Sequence, residues 1–265
     1  MKFTKMHGLG NDYLYVYGCI PDNPGQLSVK LSDRHFGAGS DGMIYILQSD
    51  IADFKMRIFN ADGSEAKMCG NGIRCVGKYV YDKGYTDKTE ITVETLSGIK
   101  RLLLTVSDSC VSSVTVDMGK GIVSDDVCVC AAGKDITLTP VSMGNPHAVS
   151  FCSGSPGDMP EVFGSTIENN ALFPGGVNVE FAAVCDRTHI RMRVWERGSG
   201  VTLACGTGAC ATVCAAISRG LCDFDVPVEV ALDGGTLIIS VDREYNVTMT
   251  GTAEFVYEGE YPCLK

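Results

Sequence analysis

The segment Val201-Thr-Leu-Ala-Cys-Gly-Thr-Gly-Ala-Cys210 has a counterpart in the first half of the chain. Cys69-Gly-Asn-Gly72 and Cys205-Gly-Thr-Gly208 share the form Cys-Gly-x-Gly, and each opens a run of residues with helical spacing. The two cysteines are 136 positions apart (205 − 69), slightly more than half of the 265 residues.

Other landmarks repeat at nearly the same offset and in the same order. They are Arg57–Asn60 with Arg193–Glu196, Lys83-Gly84 with Arg219-Gly220 and, 134 positions apart (144 − 10), Gly10-Asn11 with Gly144-Asn145. These matches indicate an internal duplication, with one cysteine in an equivalent place in each half. A chain of this length is compatible with two domains of roughly 130 residues.

Each half contains many short strands and one central helix. Phe54, Met56 and Ile58 alternate with basic residues, which is typical of a half-buried strand. The helices predicted over 72–81 and 209–217 are apolar on most sides, and such helices are normally buried.

We therefore predict an α+β fold of two pseudo-symmetric domains, each a curved, mostly antiparallel sheet wrapped around a central helix. Residues 1–117, joined by a C-terminal strand within 251–265, form the first domain, and residues 118–250 form the second. A short helix is expected over 27–36. Residues 154–176 are rich in Gly, Pro and Ser and are expected to be mostly loop with one short helix.

Composition narrows the class of partner. The net charge is −10 and no clustered basic face is visible, so no nucleic-acid partner is expected. The first ten residues lack a signal-peptide core, and no apolar run approaches the ~20 residues of a membrane span. We expect no membrane partner and a cytoplasmic protein, whose 13 cysteines are reduced and mostly buried.

The two repeated cysteines carry the chemical prediction. Each lies at the start of a helix, where unpaired N–H groups and the positive end of the helix dipole favour a thiolate and lower the thiol pKa. The neighbouring glycines leave backbone N–H groups free to bind a carboxylate.

If the two halves face each other, the two thiols stand on opposite sides of a bound ligand. This arrangement removes a proton from one face of a carbon and returns another to the opposite face, which is racemisation or epimerisation. The sequence shows no lysine motif for pyridoxal phosphate, so we predict a reaction without a cofactor or metal.

The sequence resembles the diaminopimelate epimerases, cofactor-independent isomerases of lysine and peptidoglycan-precursor biosynthesis. The matching segments lie in the family's order between residues 7 and 208. They are His7–Asp12, Asn60–Ser64, Cys69–Gly72 with Arg74, Gly144–His147, Asn178, Glu196-Arg197 and Ala204–Gly208.

The resemblance implies a role for each matched residue. Cys69 and Cys205 are the acid/base pair, and Glu196 and His147 activate thiols or hold the substrate ammonium. The implied substrate is a small molecule, diaminopimelate. Its reacting carboxylate is held by backbone amides of Gly70, Asn71, Gly206 and Thr207. Its other polar groups are held by Asn11, Asn60, Asn145, Asn178 and Arg197. Arg197 is expected to pair with the distal carboxylate. A homodimer is left open.

The chain departs from the family pattern at Gly42, where many members carry Gln. That substrate contact is missing here or comes from water. By the duplication, Gly42 is the counterpart of Asn178 (178 − 42 = 136).

Three alternatives stay open at this point. A racemase for another amino acid fits the same pattern. A metal or iron–sulfur protein using Cys205, Cys210 and Cys214 is disfavoured because the spacing differs from ferredoxin patterns. A ligand-binding protein without catalysis is disfavoured by the two retained cysteines.

Overall fold

A computed structural model describes residues 1–262 of the chain. The described chain divides into two compact units. The N-terminal unit is Met1–Val116 together with the chain from Gly251 onward, and the C-terminal unit is Asp117–Thr250. Residues 263–265, which belong to the predicted returning segment 251–265, lie outside the described residues.

The elements follow one another in chain order. The first are β1 (Lys2–Gly8), β2 (Asn11–Tyr17), α1 (Pro24–Ser32), β3 (Gly42–Leu47), β4 (Phe54–Asn60), β5 (Glu65–Ala66), α2 (Gly70–Asp82), β6 (Glu90–Thr95), β7 (Gly98–Ser107) and β8 (Cys110–Lys120). The next are β9 (Ile122–Val123), β10 (Val127–Ala131), β11 (Lys134–Ser142), β12 (Pro146–Phe151), α3 (Met159–Glu168), β13 (Asn178–Asp186), β14 (His189–Glu196) and β15 (Gly200–Thr202). The last are α4 (Gly206–Ser218), β16 (Val228–Leu232), β17 (Gly235–Val241), β18 (Asn246–Gly251) and β19 (Glu254–Glu260).

The two units repeat one strand order. In the N-terminal unit, pairing runs through β19, β1, β2, β3, β4, β6 and β7 to β8. In the C-terminal unit it runs through β10, β11, β12, β13, β14, β16 and β17 to β18. Most pairs are antiparallel, and the parallel pairs β2–β3 and β4–β6 recur as β12–β13 and β14–β16. The predicted α+β fold with two pseudo-symmetric domains is confirmed.

One helix lies on the inner face of each sheet. α2 packs against β1, β2 and β7, and α4 packs against β11, β12, β13 and β17. Small residues permit this closeness: a Cβ added at Gly77 of α2 would be 2.9 Å from Leu104 Cδ2. Nearly every residue of both helices is buried. Each inner helix is therefore buried within its own unit along most of its length.

The opposite face of each sheet carries an outer helix, α1 in the N-terminal unit and α3 in the C-terminal unit, and the predicted bounds of α1 need correction. α1 spans Pro24–Ser32 and not 27–36. Pro24 suits the first turn, where its missing N–H needs no partner. The helix ends at Asp33, whose Oδ1 accepts the backbone N–H groups of His35 and Phe36 at 2.7 Å and turns the chain away.

Residues 154–176 contain the short helix expected there, the ten-residue α3, and are otherwise loop. Its buried Phe163 and Ile167 join an apolar cluster with the sheet. Gly164 lies against the ring of Trp195, because an added Cβ would be 2.4 Å from Trp195 Cγ. Gly164 is thus a contact point between helix and sheet.

Residues 1–262 include no helix that is both long enough and apolar enough to cross a membrane.

Candidate active site

Cys69 is the N-cap residue of α2, with an extended backbone before the first helical turn. Its Sγ accepts the backbone N–H of Gly72 at 3.3 Å, and its thiol donates to Asn11 Oδ1 at 3.4 Å. The Asn11 side chain is in turn fixed because its Nδ2 donates to Asp41 at 2.8 Å. We call Cys69, Gly70, Asn71, Asn11 and Asn60 the N-terminal cysteine site.

A buried arginine side chain donates hydrogen bonds to the first turn of α2. Arg74 is fully buried, and its Nη1 donates to the Gly70 carbonyl at 3.2 Å and to Asn71 Oδ1 at 3.1 Å. Its Nε reaches the carbonyl of Thr252 at 3.2 Å. Asn71 uses its side-chain oxygen inside the protein, so a ligand at this helix start would meet backbone amides, as the sequence predicts.

Asn60 ends β4 at the register position opposite Gly42. Its Nδ2 donates to Ser64 Oγ at 3.0 Å. A Cβ added at Gly42 would be 2.2 Å from the Phe59 carbonyl oxygen and 2.9 Å from the Tyr13 ring. The backbone at position 42 therefore excludes any side chain, which explains why glutamine is absent at this place.

Cys205 is the N-cap residue of α4 and repeats the geometry of Cys69. Its Sγ accepts the backbone N–H of Gly208 at 3.4 Å and lies 3.6 Å from Thr207 Oγ1. That hydroxyl also accepts Asn145 Nδ2 at 3.3 Å. Gly206 and Thr207 begin the helix, so their backbone amides lie in its first turn.

Acidic and imidazole groups surround Cys205. Glu196, at the end of β14, accepts the Thr202 hydroxyl and hydrogen-bonds the Cys205 thiol. His147 and Glu180 are both buried, and His147 Nδ1 lies 2.7 Å from Glu180 Oε1. We call Cys205, Gly206, Thr207, Asn145, Glu196, His147 and Glu180 the C-terminal cysteine site.

The expected lowering of the thiol pKa is wrong for Cys205. Burial raises the pKa of the Cys205 thiol well above its ordinary value, and the negative charges of Glu196 and Glu180 raise it further. Hydrogen bonds from Thr207 and from the Gly208 amide oppose this rise but are the smaller effect. Burial likewise raises the pKa of Glu196. At neutral pH Cys205 is therefore a thiol.

Asn178 and Arg197 lie at the same end of these strands, since Asn178 begins β13 opposite His147 and Arg197 follows Glu196 at the end of β14. Asn178 Nδ2 donates to the Pro146 carbonyl at 3.0 Å, and its Oδ1 accepts the Arg197 backbone N–H at 3.0 Å. Both polar atoms of the Asn178 carboxamide are thus used in hydrogen bonds within the protein. The exposed Arg197 guanidinium donates to the Gly175 carbonyl at 3.2 Å. Within residues 1–262 it forms no ion pair, so Arg197 and Glu196 are not a surface charge pair.

The sequence did not identify Glu180. An acidic residue inside the apolar run Val177–Ala183 was the available signal, because the alternation places Glu180 on the same face as Asn178. Nor does the described chain group three His, Cys, Asp or Glu side chains as a metal site would require. Cys210 and Cys214 are buried along α4.

Solved structures share this fold. A hydroxyproline epimerase from Agrobacterium vitis superposes with a TM-score of 0.75, covering 98% of this chain and 91% of its own, at 17% sequence identity. This likeness shows the fold.

Sequence comparison gives the particular family. Residues 3–123 and 139–256 match the diaminopimelate epimerase family, and the chain belongs to it. The diaminopimelate epimerase of Acetivibrio thermocellus is 51% identical over 98% of both chains, and that of Agathobacter rectalis is 52% identical over 100% of both. The family inferred from the sequence motifs is confirmed.

Proposed function

We propose that this protein epimerises LL-diaminopimelate to meso-diaminopimelate without a cofactor, with Cys69 and Cys205 as the two acid/base groups. Family membership over both units and full-length relatives of that name support the activity. One structural observation carries the two-thiol mechanism. Each unit presents a cysteine as the N-cap of an equivalent thirteen-residue helix, followed by glycine-flanked backbone amides.

The reaction needs one base and one acid at the same carbon. The Cys69 thiolate takes the proton from Cα, and the electron pair left on carbon takes a proton from the Cys205 thiol on the opposite face. Cys69 ends as a thiol and Cys205 as a thiolate, and exchange with solvent restores the starting state. The raised pKa of Cys205 supports its role as proton donor in this direction.

The intermediate carries negative charge that spreads into the α-carboxylate. Backbone amides at the helix starts, from Gly70 and Asn71 and from Gly206 and Thr207, are suited to accept it, since preorganised N–H donors stabilise developing charge. The glycines keep side chains away from these amides. We assign these four residues to the reacting carboxylate.

The distal end of the substrate carries a second carboxylate and ammonium. We assign the carboxylate to Arg197, an exposed guanidinium with no ion pair in the described chain. Asn178 fixes the Arg197 backbone through a 3.0 Å hydrogen bond. Asn11, Asn60 and Asn145 hold the remaining polar groups in this proposal.

The test compares single variants of the purified protein. Cys69→Ala and Cys205→Ala should each lose epimerisation of LL-diaminopimelate, measured by chiral separation of the stereoisomers. Cys214→Ala removes a buried thiol from the same helix as Cys205 and should keep activity. Activity in either active-site variant would contradict the two-thiol mechanism, and a wild-type protein that racemises another amino acid instead would contradict the substrate.

The proposal also includes the setting of the enzyme. Two thiols that must cycle through thiolate and thiol need a reducing compartment, so we place the protein in the cytoplasm, in lysine and peptidoglycan-precursor biosynthesis. A homodimer stays a prediction. Sedimentation velocity over a concentration series would decide it.

A further inference from the structure

The buried pair of His147 and Glu180 has unused hydrogen-bonding capacity. Both side chains are fully buried, and Nδ1 and Oε1 are 2.7 Å apart. The other two polar atoms, His147 Nε2 and Glu180 Oε2, have no hydrogen-bond partner within the described residues. Buried polar atoms are nearly always paired, so an unpaired buried nitrogen points to a missing ligand.

The sheet places the His147–Glu180 pair near the first turn of α4, which Cys205 caps. β12 and β13 run parallel, with His147 opposite Asn178, and Glu180 lies two residues further on the same face. A Cβ added at Gly208 would be 2.6 Å from Glu180 Oε1. Glu180 therefore lies directly beneath the first turn of α4, whose N-cap residue is Cys205.

The charges near Cys205 do not balance. Glu180 and Glu196 bring two carboxylates, and neither forms an ion pair with Lys or Arg in the described chain. Burying carboxylates without a cationic partner is costly. A cation arriving with the substrate would compensate them, and an amino acid brings an ammonium group on the carbon that reacts.

We propose that Glu180 is a positioning residue that accepts the Nδ1–H of His147 and so presents Nε2 as the acceptor for the substrate α-ammonium. The inference rests on the proposed function. In a neutral imidazole one nitrogen donates and the other accepts, and the partner of the first fixes the tautomer. With the proton on Nε2 instead, the imidazole would place a buried N–H donor against the ammonium.

The duplication shows that the His147–Glu180 pair occurs in the C-terminal half only. The counterpart of Glu180 is Ile44 (180 − 136), and a Cβ added at Gly72 would be 2.6 Å from Ile44 Cδ1. The counterpart of His147 is Tyr13 (147 − 134). One substrate has one reacting ammonium, so one acceptor suffices.

The kinetic test uses Glu180→Gln, which keeps size and an oxygen acceptor but loses the charge. We expect kcat/KM to fall roughly 10- to 100-fold, mainly through KM, because the ammonium is bound in both ground and transition states. Glu229→Gln is the matched control, since Glu229 faces a surface histidine, His189, at 4.0 Å. It should leave the kinetics unchanged.

A double-mutant cycle separates positioning from general structure. If Glu180 acts through His147, Glu180→Gln should change kcat/KM less than about twofold in a His147→Asn background. A full, additive loss in that background would overturn the inference. So would a Glu180→Gln variant that folds and keeps wild-type KM.

The tautomer can be read without substrate or turnover. The chain has four histidines, and in ¹⁵N-labelled protein the His147 signals are those missing from His147→Asn. We expect a protonated Nδ1 and an unprotonated Nε2, and a proton on Nε2 would contradict the inference. If the tautomer is as expected but the wild-type protein does not epimerise diaminopimelate, the proposed function fails and the positioning by Glu180 stands.

Discussion

Cys69 and Cys205 cap equivalent helices and accept equivalent amides, at 3.3 Å and 3.4 Å, yet their surroundings differ in charge. Cys69 hydrogen-bonds the neutral carboxamide of Asn11. Cys205 touches the Glu196 carboxylate, with Glu180 beneath it. The duplicated backbone thus supplies the two positions, and side chains that differ between the copies make the thiols chemically unequal.

A protonated Cys205 is compatible with the role of proton donor proposed above. Both thiols cap a helix N-terminus, so the helix dipole does not distinguish them. Burial and two carboxylates outweigh it at Cys205.

The largest expected effect comes from neutralising this charge. Glu196→Gln keeps the shape of the side chain but removes one of the two carboxylates that, after burial, raise the pKa of Cys205. We expect kcat to fall on the order of 100-fold, the usual scale for general acid–base groups. The equilibrium constant is fixed, so kcat/KM should fall equally in the LL-to-meso and meso-to-LL directions, measured by chiral separation. Wild-type kcat would mean that the charge contrast between the sites has no catalytic role.

A smaller effect is expected at Arg197, which we assign to the distal carboxylate of the substrate. Arg197→Lys keeps the charge but loses the planar fork that binds a carboxylate bidentately, so KM should rise about 10-fold with a smaller change in kcat. Arg187→Lys, at an exposed pair with Asp223, serves as the control. Initial-rate kinetics of both variants decide the matter, and an unchanged KM in Arg197→Lys would remove Arg197 from the substrate site.

The smallest effect concerns stability at high pH. The pKa of Cys205 is raised in the folded chain, while in the unfolded chain it is about 8.5. Above that pH the unfolded chain loses the proton first, so stability falls as pH rises, by up to about 1.4 kcal/mol per pH unit for one proton.

Cys205→Ser removes the contribution of this thiol, so the free energy of unfolding should fall less steeply as pH rises. Urea unfolding at pH 8 and pH 10 measures it, with the exposed Cys110→Ser as the reference. Equal slopes in the two variants would show that the pKa of Cys205 is not raised.

The sequence predicts the parts of the site that the duplication repeats. Matching Cys-Gly-x-Gly segments place both inner helices and both caps, because glycine and cysteine at a helix start have few other uses. The sequence predicts α3 only as a short helix without bounds, because its stability comes from packing Phe163 and Ile167 on the sheet, against the local propensity of a Gly- and Pro-containing segment.

Residues that differ between the two halves cannot be predicted from the duplication. Glu180 has no acidic counterpart, since Ile44 occupies its place in the first copy. The protonation of Cys205 depends on its burial and on Glu196 and Glu180, which come close to the thiol only in the fold. Repetition therefore locates the two cysteines, and only tertiary structure distinguishes them.

Deuterium incorporation at low conversion tests most directly whether two separate thiols act on one carbon. A thiol carries one proton, so the proton that one cysteine removes is not the one that the other delivers. In D₂O the donor thiol carries deuterium before substrate binds. Mass spectrometry of the separated stereoisomers should find deuterium at Cα of the product and hydrogen in the remaining substrate. Substantial product carrying hydrogen at Cα would contradict separate donor and acceptor thiols.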